Sequence, residues 1–230
     1  LFFFTHKTPS EILSGLVGSE MCIRDSLFGA ANTIEDGKSY YSDIKARMSK
    51  IGRDPKSAKI LPGAFVVVGK SQQEAIDKKE LLDSLIHFDS GIASLSVLLG
   101  CDASVFDPNG PLPEIPPSEA TQSGRQKMID MGRRDNLTVA ELARQVGGSF
   151  SSLEITGTPE TIADQMQEWF EGGACDGFNI MFPFLPQGLD DFVDLVVPEL
   201  QKRGLFRRKY LGRTLRHHLG LETPKNQFFL

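Results

Sequence analysis

Ile60-Leu61-Pro62-Gly63-Ala64-Phe65-Val66-Val67-Val68 is an uninterrupted apolar run, rich in β-branched residues and bounded by turn residues on both sides. Apolarity that is continuous rather than alternating predicts a strand covered on both faces, as in a parallel sheet. Pro62-Gly63 within it predicts a bend or a bulge. Directly after the run, Ser71 and Glu74 form a capping box, and Ala75, Leu81, Leu82, Leu85 and Ile86 recur at helical spacing. The local order is therefore strand then helix, the unit from which parallel α/β sheets are built.

The same rhythm recurs on either side. Thr33 and Asp36 resemble a capping box. Tyr41, Ile44, Met48 and Ile51 share one helical face, and Gly52 and Asp54-Pro55 close the segment, which predicts a helix over 34–51. Phe150–Thr156 reads as extended. Thr158-Pro159 then opens a helix with a hydroxyl N-cap and Pro at the first position, and Ile162, Met166, Trp169 and Phe170 form its buried face. After Gly172-Gly173, the segment 177–182 reads as a buried strand, followed by the loop Pro183–Gly188. A last helix is expected near Leu189, with Pro198 kinking it or restarting it as a new first turn. Residues 90–150 interrupt this pattern. The proline-rich segment 107–117 cannot be regular, and Leu112 and Ile115 are its expected anchors. Gln126–Met131 and Thr138–Val146 read as short helices, the second capped by Thr138 and Glu141. We read this region as an insertion.

Composition bounds the class. The chain has 230 residues, 40% of them hydrophobic and 24% charged, with a formal net charge of -5, values ordinary for a soluble globular domain. These values argue against disorder, collagen and full membrane embedding, and the net charge leaves no electrostatic footprint for nucleic acid. Three cysteines without metal-knuckle spacing form no disulfide framework, so a cytoplasmic setting is expected. The first 26 residues stand apart. Leu16-Val17-Gly18-Ser19-Glu20-Met21-Cys22-Ile23-Arg24-Asp25-Ser26 looks like one reading frame of a transposase adapter used in sequencing-library preparation, so 1–26 is excluded from fold reasoning.

Few residues carry an independent chemical signature. Gly69-Lys70-Ser71 lacks the spacing of a phosphate loop, because Gly63 lies outside the required offset and an apolar strand fills the interval. His217 and His218 are adjacent and diverge on a helix, and with His87 they fit surface positions better than a metal site. Cys175 reads as a small buried side chain rather than a nucleophile. Arg203, Arg207, Arg208, Lys209, Arg213 and Arg216 make the C-terminal region basic, either as a solvated face or as a phosphate or subunit contact. Pro183-Phe184-Leu185-Pro186 either walls a pocket at the end of a strand or packs on its own scaffold.

Beyond pattern, Lys59–Gly63, Val67-Val68-Gly69, Gly157–Asp164, Glu168-Trp169-Phe170-Glu171, Asp176–Met181, Asp191–Leu200, Arg203–Arg207 and Thr214-Leu215-Arg216 together resemble one family. It is the nitrilotriacetate monooxygenase branch of the bacterial luciferase-like flavin-dependent monooxygenases, and the likeness runs over 27–222, leaving 223–230 as a tail. The resemblance implies an α/β fold, the C-terminal portion of a (β/α)8 TIM barrel from about strand 6 to strand 8. Ile60–Val68 would be its seventh strand and Phe178–Phe182 its eighth, with 90–150 as the helical insertion over the mouth. It also implies reduced FMN supplied by a separate NAD(P)H:flavin reductase, and transfer of one oxygen atom from O2 to a small organic substrate. The full-length protein would be a homo-oligomer without nucleic-acid or membrane partners.

The family's FMN phosphate loop precedes Leu27-Phe28-Gly29 and would be missing, so the catalytic and main cofactor residues are not assigned. Met181, Phe182, Pro183 and Phe184 are the expected pocket lining at the end of the last strand, with Ser149 and Phe150 near the insertion's return. A barrel oxidoreductase using deazaflavin F420 is one alternative. The other is a non-catalytic half barrel that self-associates through an unclosed sheet edge.

Overall fold

The computed structural model describes residues 22–23, 26–29, 31–118, 122–149, 152–210 and 212–222, with the backbone alone at 22, 23, 123 and 149. The adapter-like segment up to Met21, the position Phe150 and the tail 223–230 lie outside the described residues. The chain divides into two compact units, one comprising 77–152 and the other 22–76 with 153–230, the boundary falling inside one helix.

The α/β unit is built on a parallel sheet. Strands β1 (Cys22–Ile23) and β2 (Ser26–Gly29) pair antiparallel, and β2 then pairs parallel with β3 (Lys59–Val68). Between them runs helix α1 (Ile34–Lys50), whose Thr33 hydroxyl accepts the Asp36 N–H at 3.2 Å, as the capping pattern predicts. β3 also pairs parallel with β4 (Leu153–Gly157) and with β5 (Asn179–Met181). Ala64 and Phe65 are matched in both ladders, so β4 and β5 flank β3 on opposite edges.

Pro62-Gly63 produces no break in β3. It marks the change of partner: pairing with β2 ends at Pro62, and pairing with β5 begins at Gly63. Pro62 lacks the N–H that a continued ladder would use.

One face of β3 is the core. Ala64, Val66 and Val68 pack with Leu153 and Ile155 of β4 and with Ile162, Met166 and Trp169 of α6 (Pro159–Glu171). α6 starts as read, with the Thr158 hydroxyl facing the Thr161 N–H and Pro159 at the first position. Trp169 also packs against α1 at Gly37, where an added Cβ would come within 2.7 Å of the indole, so that close helix contact needs glycine. Phe170 departs from the expected buried face and is 50% exposed, because it lies one residue beyond the stripe that faces the sheet. After β5, helix α7 (Gln187–Asp191) passes into a π-helical turn over Phe192–Val196. Pro198 then sits in the first turn of α8 (Val197–Lys202), the restart that Pro permits.

The helical unit has its own core. It contains part of α2 (Gln72–Ser84), then α3 (Phe88–Leu99), α4 (Gln122–Arg134) and α5 (Val139–Ser149). Ile92, Leu95, Leu99, Met128, Leu142 and Val146 fill that core. α3 meets α5 closely at Gly91, where a Cβ would lie 2.6 Å from the Ala143 carbonyl oxygen. Leu81 and Leu85, read as part of a helical face, are exposed, and only Ala75 of that set is buried. The proline-rich segment is an ordered excursion. Ile115 is buried, Leu112 packs against the same core, and Arg125 donates to the Ile115 and Pro116 carbonyls at 2.6 and 2.8 Å. The α5 cap is the predicted one: Thr138 N–H and hydroxyl both bond the Glu141 carboxylate at 2.8 Å.

Candidate functional site

Strand alternation assigns each residue of β3 to one of two faces. The core face takes Ile60, Pro62, Ala64, Val66 and Val68, which leaves Leu61, Gly63, Phe65 and Val67 on the other. Gly63 identifies what covers that second face. A Cβ built there would meet the Phe28 ring of β2 at 2.6 Å and the Met181 sulfur of β5 at 2.9 Å. Phe28 and Met181 therefore converge over Gly63 from two neighbouring strands, and the missing side chain is what lets them do so.

Register extends the row. Met181 and Glu154 both pair with Phe65, Thr156 pairs with Val67, and Asn179 pairs with Gly63. The face is an apolar floor of Phe28, Leu61, Phe65 and Met181, with polar atoms from Asn179, Glu154 and Thr156. Phe28, Leu61, Phe65 and Met181 are half-buried and Asn179 is exposed, so the floor is partly open. That differs from the expected buried strand over 177–182: β5 has three residues, with Asn179 exposed and Ile180 and Met181 half-buried.

The sequence-predicted lining residues separate here. Met181 is on the floor. Phe182 points the other way, its ring edge-on to Phe192 at 5.9 Å, and it packs on the helical core. Its role is to seat the π-helical turn, a consequence of the same alternation that turns Met181 inward. Pro183 and Phe184 are half-buried in the loop after β5, and a Cβ built on Gly188 at the start of α7 would lie 3.8 Å from the Phe184 ring. Ser149 ends α5, and Phe150 lies outside the described residues. Phe28, Leu61 and Phe65 were not singled out in the sequence; in an all-apolar run only the register reveals which residues face which way.

The floor offers no nucleophile of its own. Cys175 lies in the core, where burial pushes its thiol up to about 12. Gly69-Lys70-Ser71 is a helix cap: the Ser71 hydroxyl accepts the Glu74 N–H at 3.2 Å, and the Glu74 carboxylate takes the Lys70 N–H at 2.9 Å. Those donors are committed to the protein rather than to a phosphate. His87 caps α3 with Nδ1 accepting the Asp89 N–H at 3.3 Å, and His218 bonds the Gly212 carbonyl at 2.9 Å. Among the described residues no cluster of His, Cys, Asp and Glu could hold a metal, and no single helix is long and apolar enough to cross a membrane. An apolar floor with a few polar atoms suits a site whose chemistry is carried by a bound group.

Comparison with known proteins gives this geometry a context. Residues 24–176 match the model of the luciferase-like monooxygenases. Nitrilotriacetate monooxygenase component A of Aminobacter aminovorans is 47% identical over 225 residues, covering 96% of this chain and 50% of the relative. Two solved structures share the fold. DmoA from Hyphomicrobium sulfonivorans superposes with a TM-score of 0.74 at 24% identity, over 93% of this chain and 43% of DmoA. The riboflavin lyase RcaE, solved with modified FMN and riboflavin, superposes at 0.72 with 29% identity, over 86% and 43% of the two chains. The chain spans about half the length of the relatives it matches. Its parallel sheet with helices on one face corresponds to part of their TIM barrel, and the chain belongs to the luciferase-like monooxygenase family.

Proposed function

We propose that this chain forms the C-terminal wall of the active site of a two-component flavin monooxygenase of the nitrilotriacetate monooxygenase branch. The observation that carries the reading is the convergence of Phe28 and Met181 over Gly63, on the one sheet face that the helices leave partly open. In a β/α barrel that face is the interior, and the strand ends beyond Phe65 and Met181 point to the mouth.

The residues present fit part of an FMN molecule. Phe28, Leu61, Phe65 and Met181 offer a flat apolar surface of the kind an isoalloxazine ring packs on. Among the described residues the one glycine-lysine-serine turn is occupied by its own helix cap, so the phosphate would be held by other parts of the barrel. Bound FMN, reduced by a separate NAD(P)H:flavin reductase, supplies the electrons with which O2 gives one oxygen atom to a small organic substrate and the other to water.

The chain's own side chains do the remaining work. Phe65 and Met181 orient the ring and exclude water from beneath it, which protects the oxidant from wasteful decay. Glu154, Thr156 and Asn179 supply the polar contacts on that face. The reading is tested by anaerobic titration with reduced FMN, followed by oxygen uptake. Binding that is lost in Met181→Asp, in a protein with unchanged circular dichroism, supports it. Flavin binding insensitive to that change would place the ring elsewhere.

A further inference from the structure

The helical stretch that follows β5 buries every fourth residue. Gly188, Phe192, Val196 and Leu200 are all buried, and the residues between them are exposed or half-buried. An α-helix cannot keep such a repeat on one face: at about 100° per residue the stripe drifts by about 40° at each step, and by about 120° from Gly188 to Leu200. The π-helical turn over Phe192–Val196 removes most of that drift. Val197 donates to the Phe192 carbonyl, five residues back, and the one extra residue in the turn reduces the net rotation to about 20°. Phe192, Val196 and Leu200 thereby reach the same core.

Pro198 accounts for the turn. In a continuous α-helix its nitrogen would meet the Asp194 carbonyl with no N–H to offer, and its ring would clash with that oxygen. The widened turn just before it, and the restart of α8 with Pro198 in the first turn, avoid both. Pro198 is itself exposed, so its influence runs through the backbone and not through packing. The buried stripe in turn holds the end of β5. Phe182 lies between two of its members: its ring is edge-on to Phe192 at 5.9 Å, and its Cβ is 3.7 Å from a Cβ built on Gly188. β5 has only three residues, and the anchor at Phe182 falls one residue beyond Met181, whose side chain the pleat sends to the opposite face.

We propose that Pro198 is a positioning residue for the open sheet face: by holding Phe192–Val196 in the π form it seats Phe192 against Phe182, and so sets where Met181 stands over Gly63. The α and π forms of the segment differ by one residue, or about 100° about the helix axis. In the α form, keeping Val196 and Leu200 buried turns Phe192 away from Phe182. Restoring an N–H at position 198 lifts the block to the α form without removing a buried side chain. The consequence for flavin rests on the reading of this face as the floor of a flavin site; the consequence for Met181 does not.

Isotopic labelling of the methionine methyl groups makes the positioning visible by NMR in the full chain, with the Met181 resonance assigned from Met181→Leu. Pro198→Ala should displace that resonance, while Met48 of α1 and Met128 of the helical unit keep theirs. Phe192→Leu should displace it as well, and the double variant should displace it no further than the larger single change, because both act through one contact. Pro198→Ala should also weaken the binding of reduced FMN by about three- to thirtyfold. A Met181 resonance unmoved in folded Pro198→Ala overturns the proposal, since a proline that only stabilises the helix would lower the urea midpoint and leave Met181 in place. Additive displacements in the double variant overturn it equally. Should Pro198→Ala lose the native fold, Phe192→Leu carries the test, and an unmoved Met181 there overturns the proposal. Met181 displaced with flavin affinity unchanged upholds the positioning and overturns the assignment of this face to flavin.

Discussion

The Lys45 ammonium lies 2.9 Å from the Asp176 carboxylate, joining α1 to the segment that leads into β5 across 131 residues of sequence. Asp176 also accepts from the Ile60 N–H at 2.9 Å and the Tyr41 hydroxyl at 3.2 Å, while Lys45 donates to the Pro55 and Ala58 carbonyls at 2.9 and 2.7 Å. The cluster pins the N-terminal end of β3, away from the strand ends that form the proposed site. Removing either charge leaves the other poorly solvated and without its counter-ion, which costs about 3 kcal/mol. Asp176→Ala should therefore lower the urea midpoint markedly, and Lys45→Met should do the same. A midpoint within error of the parent would show that the cluster is not structural.

Tyr41 gives the cluster a pH signature. Burial, reinforced by the Asp176 charge, pushes the phenol from 10.0 up to about 12. A group whose pKa is raised on folding contributes stability that is full below pH 10 and lost as pH rises toward 12. Tyr41→Phe should be less stable at neutral pH by about 1 kcal/mol for the lost hydrogen bond. Between pH 10 and 12 it should lose stability less steeply than the parent, measured by urea unfolding at stepped pH. An equally steep alkaline limb in the variant would contradict the assignment.

The thiols should separate by reactivity. Cys175 is buried in the sheet core with its thiol pushed up to about 12, whereas Cys101 is only half-buried, its upward shift opposed by Arg125. The thiolate is the reactive form, so iodoacetamide at pH 8 should label Cys101 and leave Cys175 unmodified in the native protein. Peptide mapping by mass spectrometry reads this directly, and fast native labelling of Cys175 would place it outside the core.

Gly69 sits in a close turn between β3 and α2. A Cβ there would lie 2.7 Å from the Ser71 carbonyl oxygen and 2.8 Å from the Ala75 Cα, both backbone atoms that cannot step aside. Gly69→Ala should destabilise the fold by about 1–3 kcal/mol. Gly52, with φ of 71° and nothing within 4 Å, should tolerate alanine better, at the cost of its left-handed backbone alone. A larger loss at Gly52 than at Gly69 would reverse this ranking.

What the sequence disclosed followed from local rules. Thr33, Ser71, Thr138 and Thr158 each announce a helix start through short-range capping, and each helix begins there. Pro198 behaves as a first-turn residue because the missing N–H is harmless there. The site was less legible for a physical reason. Ile60–Val68 is apolar on both faces, so no alternation distinguishes Phe65, which faces the floor, from Val66, which faces the core. Only the pairing of Phe65 with Met181 does so. Phe182 turns away from Met181 for the same reason, since adjacent residues at a strand end diverge to opposite faces. The Phe28–Gly63–Met181 convergence joins residues from three strands far apart in sequence, which no local pattern encodes.

The most direct test concerns that convergence. The 47% identity to the Aminobacter relative allows a chimera in which the part of the relative that this chain does not match is joined to this chain. Anaerobic titration of the chimera with reduced FMN should give saturable micromolar binding, which corresponds to about 8 kcal/mol. Gly63→Val, which drives a branched side chain between Phe28 and Met181, should weaken that binding by tenfold or more, equivalent to about 1.4 kcal/mol, while leaving the circular dichroism unchanged. A folded chimera that binds no flavin, or one whose binding is indifferent to Gly63→Val, would contradict the claim that this sheet face is the floor of a flavin site.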